Sequence, residues 1–136
     1  MYNTLSIECV KKTLINVSPE TTILYRPVGP KELELIAASG YREFPPRLPE
    51  QPIFYPVLNE EYARQIAREW NVSASGSGYV TRFAVRKEFL GRYAEHQVGT
   101  SVHRELWIPA GDMAEMNRNI VGVIEVIAEY KPDAIQ

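Results

Sequence analysis

One cysteine, Cys9, and two histidines, His96 and His103, are all the thiol and imidazole chemistry that the 136-residue chain holds. A single thiol forms no intramolecular disulfide and builds no cysteine-rich metal site. No helix-spaced histidine pair flanks a glutamate, so zinc-type catalysis is not expected. No apolar stretch reaches the ~18 residues of a membrane-spanning helix, and the first residues do not follow the basic-then-apolar plan of a secretory signal. A cytoplasmic protein is therefore expected. A net charge of −2 gives no cationic surplus to displace counterions from phosphates, which argues against a broad nucleic-acid surface. Gly76-Ser77-Gly78 is short of the further glycine and the strand-to-helix setting of a dinucleotide fingerprint, no Walker-type Gly-Lys-Ser occurs, and Ser77 sits in no nucleophile elbow.

A hydrophobic fraction of 45% with 24% charged residues belongs to an ordinary globular chain. The length suits a single domain over 1–136 that hides roughly two-thirds of its unfolded surface. Residues 4–17 partly alternate Leu5, Ile7 and Cys9 with polar neighbours, as an N-terminal strand or hairpin extension would. Thr21 to Val28 reads as a strand, bounded by Ser18-Pro19 and Gly29-Pro30. Pro30 suits a first helical turn, and Leu33, Ile36 and Ala37 repeat at helical spacing as far as Gly40. Four prolines from Tyr41 to Pro52 (Pro45, Pro46, Pro49 and Pro52) predict a stiff loop. Ile53 to Leu58 reads as a short strand broken by Pro56. Asn59 then caps a helix whose inner face is Tyr62, Ala63, Ile66, Ala67 and Trp70. Ser73 to Gly78 predicts a flexible connection, Tyr79 to Arg86 a strand, and Lys87 to Glu95 a short helix with Phe89, Leu90 and Tyr93 inward. A strand around Glu105, a helix capped by Asp112 and running to Asn119, a last apolar strand over Val121 to Tyr130 and a frayed tail from Lys131 complete an α+β plan of five or six strands among short helices.

Glu105 heads the segment Glu105-Leu106-Trp107-Ile108, in which Trp107 is expected to pack. A carboxylate among apolar residues must find a partner or face a cleft, because a buried unpaired charge costs several kcal/mol or is neutralised. Such a group can stabilise positive charge developing at a sugar carbon. The competing assignment is a strand-end ion pair with the adjacent Arg104. His103, two residues earlier, shares the face of Glu105 in a strand and titrates near neutrality. Arg26 ends an apolar strand with a permanently charged fork matched to phosphate or carboxylate oxygens; otherwise it is a paired strand-end arginine next to a packing Tyr25. Phe54 and Tyr55 point to opposite faces of a strand, so one enters the core and the other is free to stack on a flat heterocycle.

Three stretches in this order resemble the ADP-ribosyltransferase fold, in particular its compact bacterial toxin-type members. They are Leu24-Tyr25-Arg26-Pro27-Val28-Gly29-Pro30, Phe54-Tyr55 with Asn59-Glu60-Glu61-Tyr62-Ala63, and His103-Arg104-Glu105-Leu106-Trp107-Ile108-Pro109, together spanning about residues 22–128. The resemblance implies an α+β core of short-stranded mixed sheets that uses NAD as substrate, transfers ADP-ribose to an acceptor and releases nicotinamide, with hydrolysis of NAD as the variant without an acceptor. It implies that Glu105 is catalytic with His103 beside it, and that Arg26, Tyr25, Phe54 and Tyr55 border the NAD cleft, so the three stretches should converge on one cavity. The arginine-modifying branch has Gln or Glu where this chain has His103, and the Ser-Thr-Ser second motif is replaced by Ile53-Phe54-Tyr55-Pro56, which leaves the acceptor open. The alternative from another class is a catalytically inactive interaction, immunity or accessory domain that presents Tyr41 and Phe44 from the proline-rich loop.

Overall fold

The computed structural model describes residues 20–132, and the strand or hairpin expected over residues 4–17 lies outside the described residues. The described chain is mixed α+β, with small sheets and several short helices. Strands β1 (Thr21–Val28), β3 (Gly78–Arg86) and β7 (Ile120–Tyr130) form an antiparallel sheet in the order β1-β3-β7. Two shorter pairs accompany it: β2 (Ile53–Phe54) with β6 (Ile108–Pro109), and β4 (Glu95–Gln97) with β5 (Arg104–Leu106).

Val57 stitches these pieces together. Its N–H and carbonyl exchange hydrogen bonds with Tyr25 at 2.8 and 2.9 Å, and its neighbours continue a ladder with β5 through Leu58 N–H to the Arg104 carbonyl and Leu106 N–H to the Pro56 carbonyl. The pairings Ile53↔Pro109, Phe54↔Ile108 and Val57↔Glu105 keep a single register. The segment 53–58 is thus one bent strand that Pro56 interrupts without shifting its phase, since proline removes a ladder donor.

Helix α1 (Pro30–Ala38) starts on proline as expected and buries Ile36. Helix α2 (Glu60–Ile66) is capped by the Asn59 side chain, which accepts the Tyr62 N–H at 2.8 Å. It runs on through a π-helical turn, Ala67–Asn71, into α3 (Val72–Ser75), so the expected flexible stretch from Ser73 is helical as far as Ser75. The π turn also corrects the placement of Trp70. Wider turns break the 3.6-residue phase set by Tyr62, Ala63 and Ile66, and Trp70 ends 70% exposed while Ala67 is buried. The turn leans on the start of β3 because Gly78 is there: a Cβ on Gly78 would overlap the Ala67 carbonyl oxygen.

The main core lies on one face of the sheet, where Leu24, Val28, Phe83 and Val85 meet Ile36, Phe54, Leu106, Ile108, Met116 and Phe44. Helix α4 (Lys87–Leu90) contributes Phe89 and Leu90, and α5 (Met113–Arg118) contributes Met113 and Met116. The helix expected over 87–95 is shorter than the sequence suggests, since Glu95 already pairs in β4. A smaller cluster on the opposite face holds Val57, Ala63, Ala67 and Val80 under α2. Phe44 departs from its expected place in an exposed loop, being 2% exposed against Phe54 and Phe83. The last strand is not the buried one its composition suggests. Only Ile124 is buried in β7, its N–H donating to the Tyr41 carbonyl at 2.7 Å, and Val121, Val123 and Val126 are exposed on a strand that pairs with no second strand among the described residues.

Asp112 does not cap α5. Its Oδ2 instead accepts the Tyr93 hydroxyl at 2.6 Å. Burial first, and the Asp112 carboxylate second, push the Tyr93 hydroxyl up to about 12. The unfolded chain releases this proton near 10, so the contribution is fully present below that pH and is lost as pH rises through the folded value. Tyr93→Phe should flatten the fall in stability between about pH 10 and 12, measured by denaturant unfolding across that range. An unchanged slope would show that this hydroxyl is not the group responsible.

Candidate functional site

Paired residues in a ladder project to the same side of a sheet, and alternate residues along a strand project to opposite sides. The pairings His96↔Glu105, Glu105↔Val57, Val57↔Tyr25, Tyr25↔Arg82 and Arg82↔Glu125 therefore define one row on one face, crossing six chain segments. Glu105, Tyr25 and His96 belong to that row. Arg26, next to Tyr25, belongs to the other face with Leu24 and Val28.

The contacts agree with this division. The Arg26 guanidinium lies 4.5 Å above the buried ring of Phe54 and gives Nε–H and Nη2–H to the two Glu32 oxygens at 2.8 and 2.9 Å. Bidentate pairing occupies its fork, so Arg26 is the paired arginine of the two assignments open from the sequence. Phe54 is fully buried, whereas Tyr55 is 41% exposed on the Glu105 side. The expected single cavity around Arg26, Tyr55 and Glu105 is not formed. The sheet separates the first from the other two, because Tyr25 rather than Arg26 takes the register position aligned with Glu105.

Around Glu105 the structure gathers a ring-lined carboxylate. The Trp107 indole N–H donates to Glu105 Oε2 at 2.8 Å, and His96 stacks on Trp107 at 3.7 Å with the planes 7° apart. Tyr55 stands across the ladder from Trp107, edge-on at 6.2 Å. The ring of His103 lies 4.6 Å from that of Tyr62, and its Nδ1 accepts the Thr100 backbone N–H at 3.0 Å. Gly99 lets this loop close over the imidazole, for a Cβ there would run into the His103 ring. Burial first, and the Glu105 charge second, raise the Tyr62 hydroxyl above its ordinary value.

Glu105 also differs from the half-buried Glu32, Glu60 and Glu115 in what it does not do. Arg104 pairs with Glu95 at 3.0 Å, which removes the expected ion pair with its sequence neighbour, and Glu105 has no cation partner among the described residues. Glu32 and Glu60, by contrast, each hold an arginine. A part-buried carboxylate that, among the described residues, accepts one side-chain hydrogen bond, from an indole, leaves acceptor capacity and negative charge directed at whatever enters between the rings.

Compared with family models, curated proteins and solved structures, the chain matches none.

Trp107, His96 and Tyr62 are the site residues that sequence reasoning passed over. Trp107 was expected to pack, yet it is 43% exposed. The alternation that puts His103 on the face of Glu105 puts Trp107 there as well, so that signal was available. His96 and Tyr62 arrive through pairing and helix docking, which have no local signature. On the same face, beyond α2, an open groove of about 480 Å³ is lined by Ile23, Tyr25, Arg82, Ala84 and Val121 to Val123. Among the described residues no three His, Cys, Asp or Glu side chains converge as metal ligands, and no helix is long and apolar enough to cross a membrane.

Proposed function

We propose that the chain takes NAD as substrate on the Glu105 face and transfers its ADP-ribose to an acceptor, or to water, with release of nicotinamide. One observation carries this reading: Glu105 is a part-buried carboxylate without a cation partner among the described residues, held by Trp107 and flanked by exposed aromatic rings. Cleavage of the nicotinamide–ribose bond develops positive charge on the ribose, and a carboxylate already fixed in place favours that charge more strongly than water, which must reorient, does. Tyr55 and Trp107 offer ring faces and edges to a cationic heterocycle. In this reading Tyr25 and Tyr55 stand on the substrate side, His103 orients groups near Glu105, and Arg26 with Phe54 supports the sheet from behind. The test is incubation with saturating NAD, read by released nicotinamide and by thermal stability. NAD at ten times its dissociation constant should raise stability by about 1.4 kcal/mol. The absence of both release and a shift would end the proposal.

A second reading, a non-catalytic interaction domain, draws on β7, where Val121, Val123 and Val126 are each more than 40% exposed on one strand. In this reading contact passes through β7 rather than through Phe44, which is in the core. A partner captured under native conditions, lost in Val123→Lys and kept in Glu105→Gln, would favour it over the enzyme.

A further inference from the structure

The face of the three-stranded sheet that carries Tyr25 is covered at one end, where Ala63 of α2 and Ala67 of the π turn pack with Val57 and Val80. At the other end the pairings Ile23↔Ala84 and Ala84↔Val121 set an apolar row across all three strands. Strand β7 is bulged beside that row. Between the pairs Arg82↔Glu125 and Ala84↔Val121 it carries three residues against one of β3, and Gly122 passes through the left-handed region at φ +85°. The groove of about 480 Å³ opens at this bulge, with Val121 and Val123 each more than 40% exposed along it and the Arg82–Glu125 ion pair at its end. Among the described residues its lining comes from β1, β3 and β7 alone.

The chain enters the sheet beside this groove. Lys87 N–H donates to the Glu20 carbonyl at 2.8 Å and Thr21 pairs with Arg86, so Glu20 stands three residues, or ~10 Å, before Ile23 in the apolar row. Residues 1–19 precede it. Three strands are spanned in ~10 Å, whereas a 14-residue stretch such as 4–17 reaches ~46 Å when extended, enough to cross the groove and return as two arms. Leu5, Ile7 and Cys9 at alternate positions, with Leu14, Ile15 and Val17 beyond the polar Lys11-Lys12-Thr13, supply apolar side chains that gain by resting on such a surface. An occupant joined to the sheet through Ser18-Pro19-Glu20 acts at a local concentration of the order of millimolar, which a separate partner or a second copy has to exceed.

We infer that residues 4–17 are the cover of this groove, with the Leu5, Ile7 and Cys9 side laid on Ala84, Val121 and Val123. The cover is independent of the reaction proposed at Glu105, and it sets an intrachain occupant on two of the valines that an interaction domain would offer to a partner.

The test uses the full chain, dilute and with labelled methyl groups. Nuclear Overhauser contacts should join Leu5 or Ile7 to Val121 or Val123 within one molecule. Cys9, the single thiol, should react with a thiol reagent roughly tenfold or more slowly in the native chain than in urea. Val123→Lys should remove most of that protection, and Val126→Lys, on the same strand but outside the groove lining, should leave it in place. No contact between these methyl groups, a Cys9 that reacts in the native chain as it does in urea, or protection indifferent to Val123→Lys would each overturn the inference. Contacts found only between differently labelled copies, and growing with protein concentration, would overturn it as well by giving the groove to a second copy. Should Val123→Lys fail to fold, the methyl contacts of the parent chain decide alone.

Discussion

Phe44→Ala is expected to cost about 3–5 kcal/mol of folding stability, the range for removing a fully buried phenyl ring when its surroundings relax only in part. The ring meets Phe54 at 5.0 Å and Phe83 at 4.7 Å in tilted and edge-on geometry, joining the proline-rich loop to β2 and to the central strand. Its backbone is anchored as well. The Asn117 side chain accepts the Phe44 N–H and donates to its carbonyl, both at 3.0 Å, so the loop is clamped to α5 on both polar groups. The truncation leaves a void between two aromatic rings that this clamp prevents from collapsing. Domains of this kind have about 5–15 kcal/mol in total, so the variant should melt roughly 10–20 °C below the parent. Calorimetry or urea unfolding measures it. A loss below about 1 kcal/mol would mean that the loop is not part of the cooperative core. Tyr41→Ala, which removes a 39% exposed ring from the same loop, should cost far less. The pair of variants separates the core role of Phe44 from the surface role that composition alone suggests for both.

That misplacement shows where sequence reasoning stops. Local signals did their work wherever a strand or helix is defined by its own residues: Thr21 to Val28 between two proline signals, Pro30 at a first turn, Asn59 as a cap, and the alternation of Tyr79, Thr81, Phe83 and Val85. They fail where a tertiary contact chooses the outcome. Phe44 sits among prolines that exclude regular structure, but exclusion of a helix does not imply exposure. Trp70 follows a helical repeat that is sound as far as Ile66 and is then rotated by a π turn, which the close approach of Gly78 accommodates. Asp112 has the identity and position of a cap, and a tyrosine hydroxyl 19 residues earlier takes its oxygen instead.

The candidate site divides along the same line. Within one strand the period of two places His103, Glu105 and Trp107 together, and sets Phe54 against Tyr55. Between strands, the relative phase depends on which backbone groups pair, and a shift of one residue exchanges the faces of every side chain. Alignment of Tyr25 with Val57, and of Val57 with Glu105, puts Tyr25 on the face of the carboxylate and sends Arg26 behind the sheet. No property of Leu24-Tyr25-Arg26 taken alone distinguishes these two registers, since either leaves an aromatic and a cation on opposite faces of a half-buried strand.

Glu105→Gln should leave the fold intact and lower nicotinamide release from NAD by about 10²–10³-fold, the loss expected when one preorganised electrostatic contact to a transition state is removed. The substitution keeps the shape of the side chain, and the amide oxygen can still accept the Trp107 N–H, so stability should change by no more than about 0.5 kcal/mol. The negative charge alone is lost. Its absence has a second readout at Tyr62, whose hydroxyl is held above its ordinary value by burial first and by the Glu105 charge second. In the variant the Tyr62 titration should move down towards that value without reaching it, because the burial persists. The two measurements fail separately. An unmoved Tyr62 titration would show that the carboxylate does not act on this ring, whatever the enzymology. A Tyr62 shift with undiminished nicotinamide release would leave the geometry standing and remove Glu105 from the chemistry. If both outcomes occur as expected, a well-formed site has lost one charge, and the fall in rate measures how much that charge lowers the barrier to breaking the nicotinamide–ribose bond.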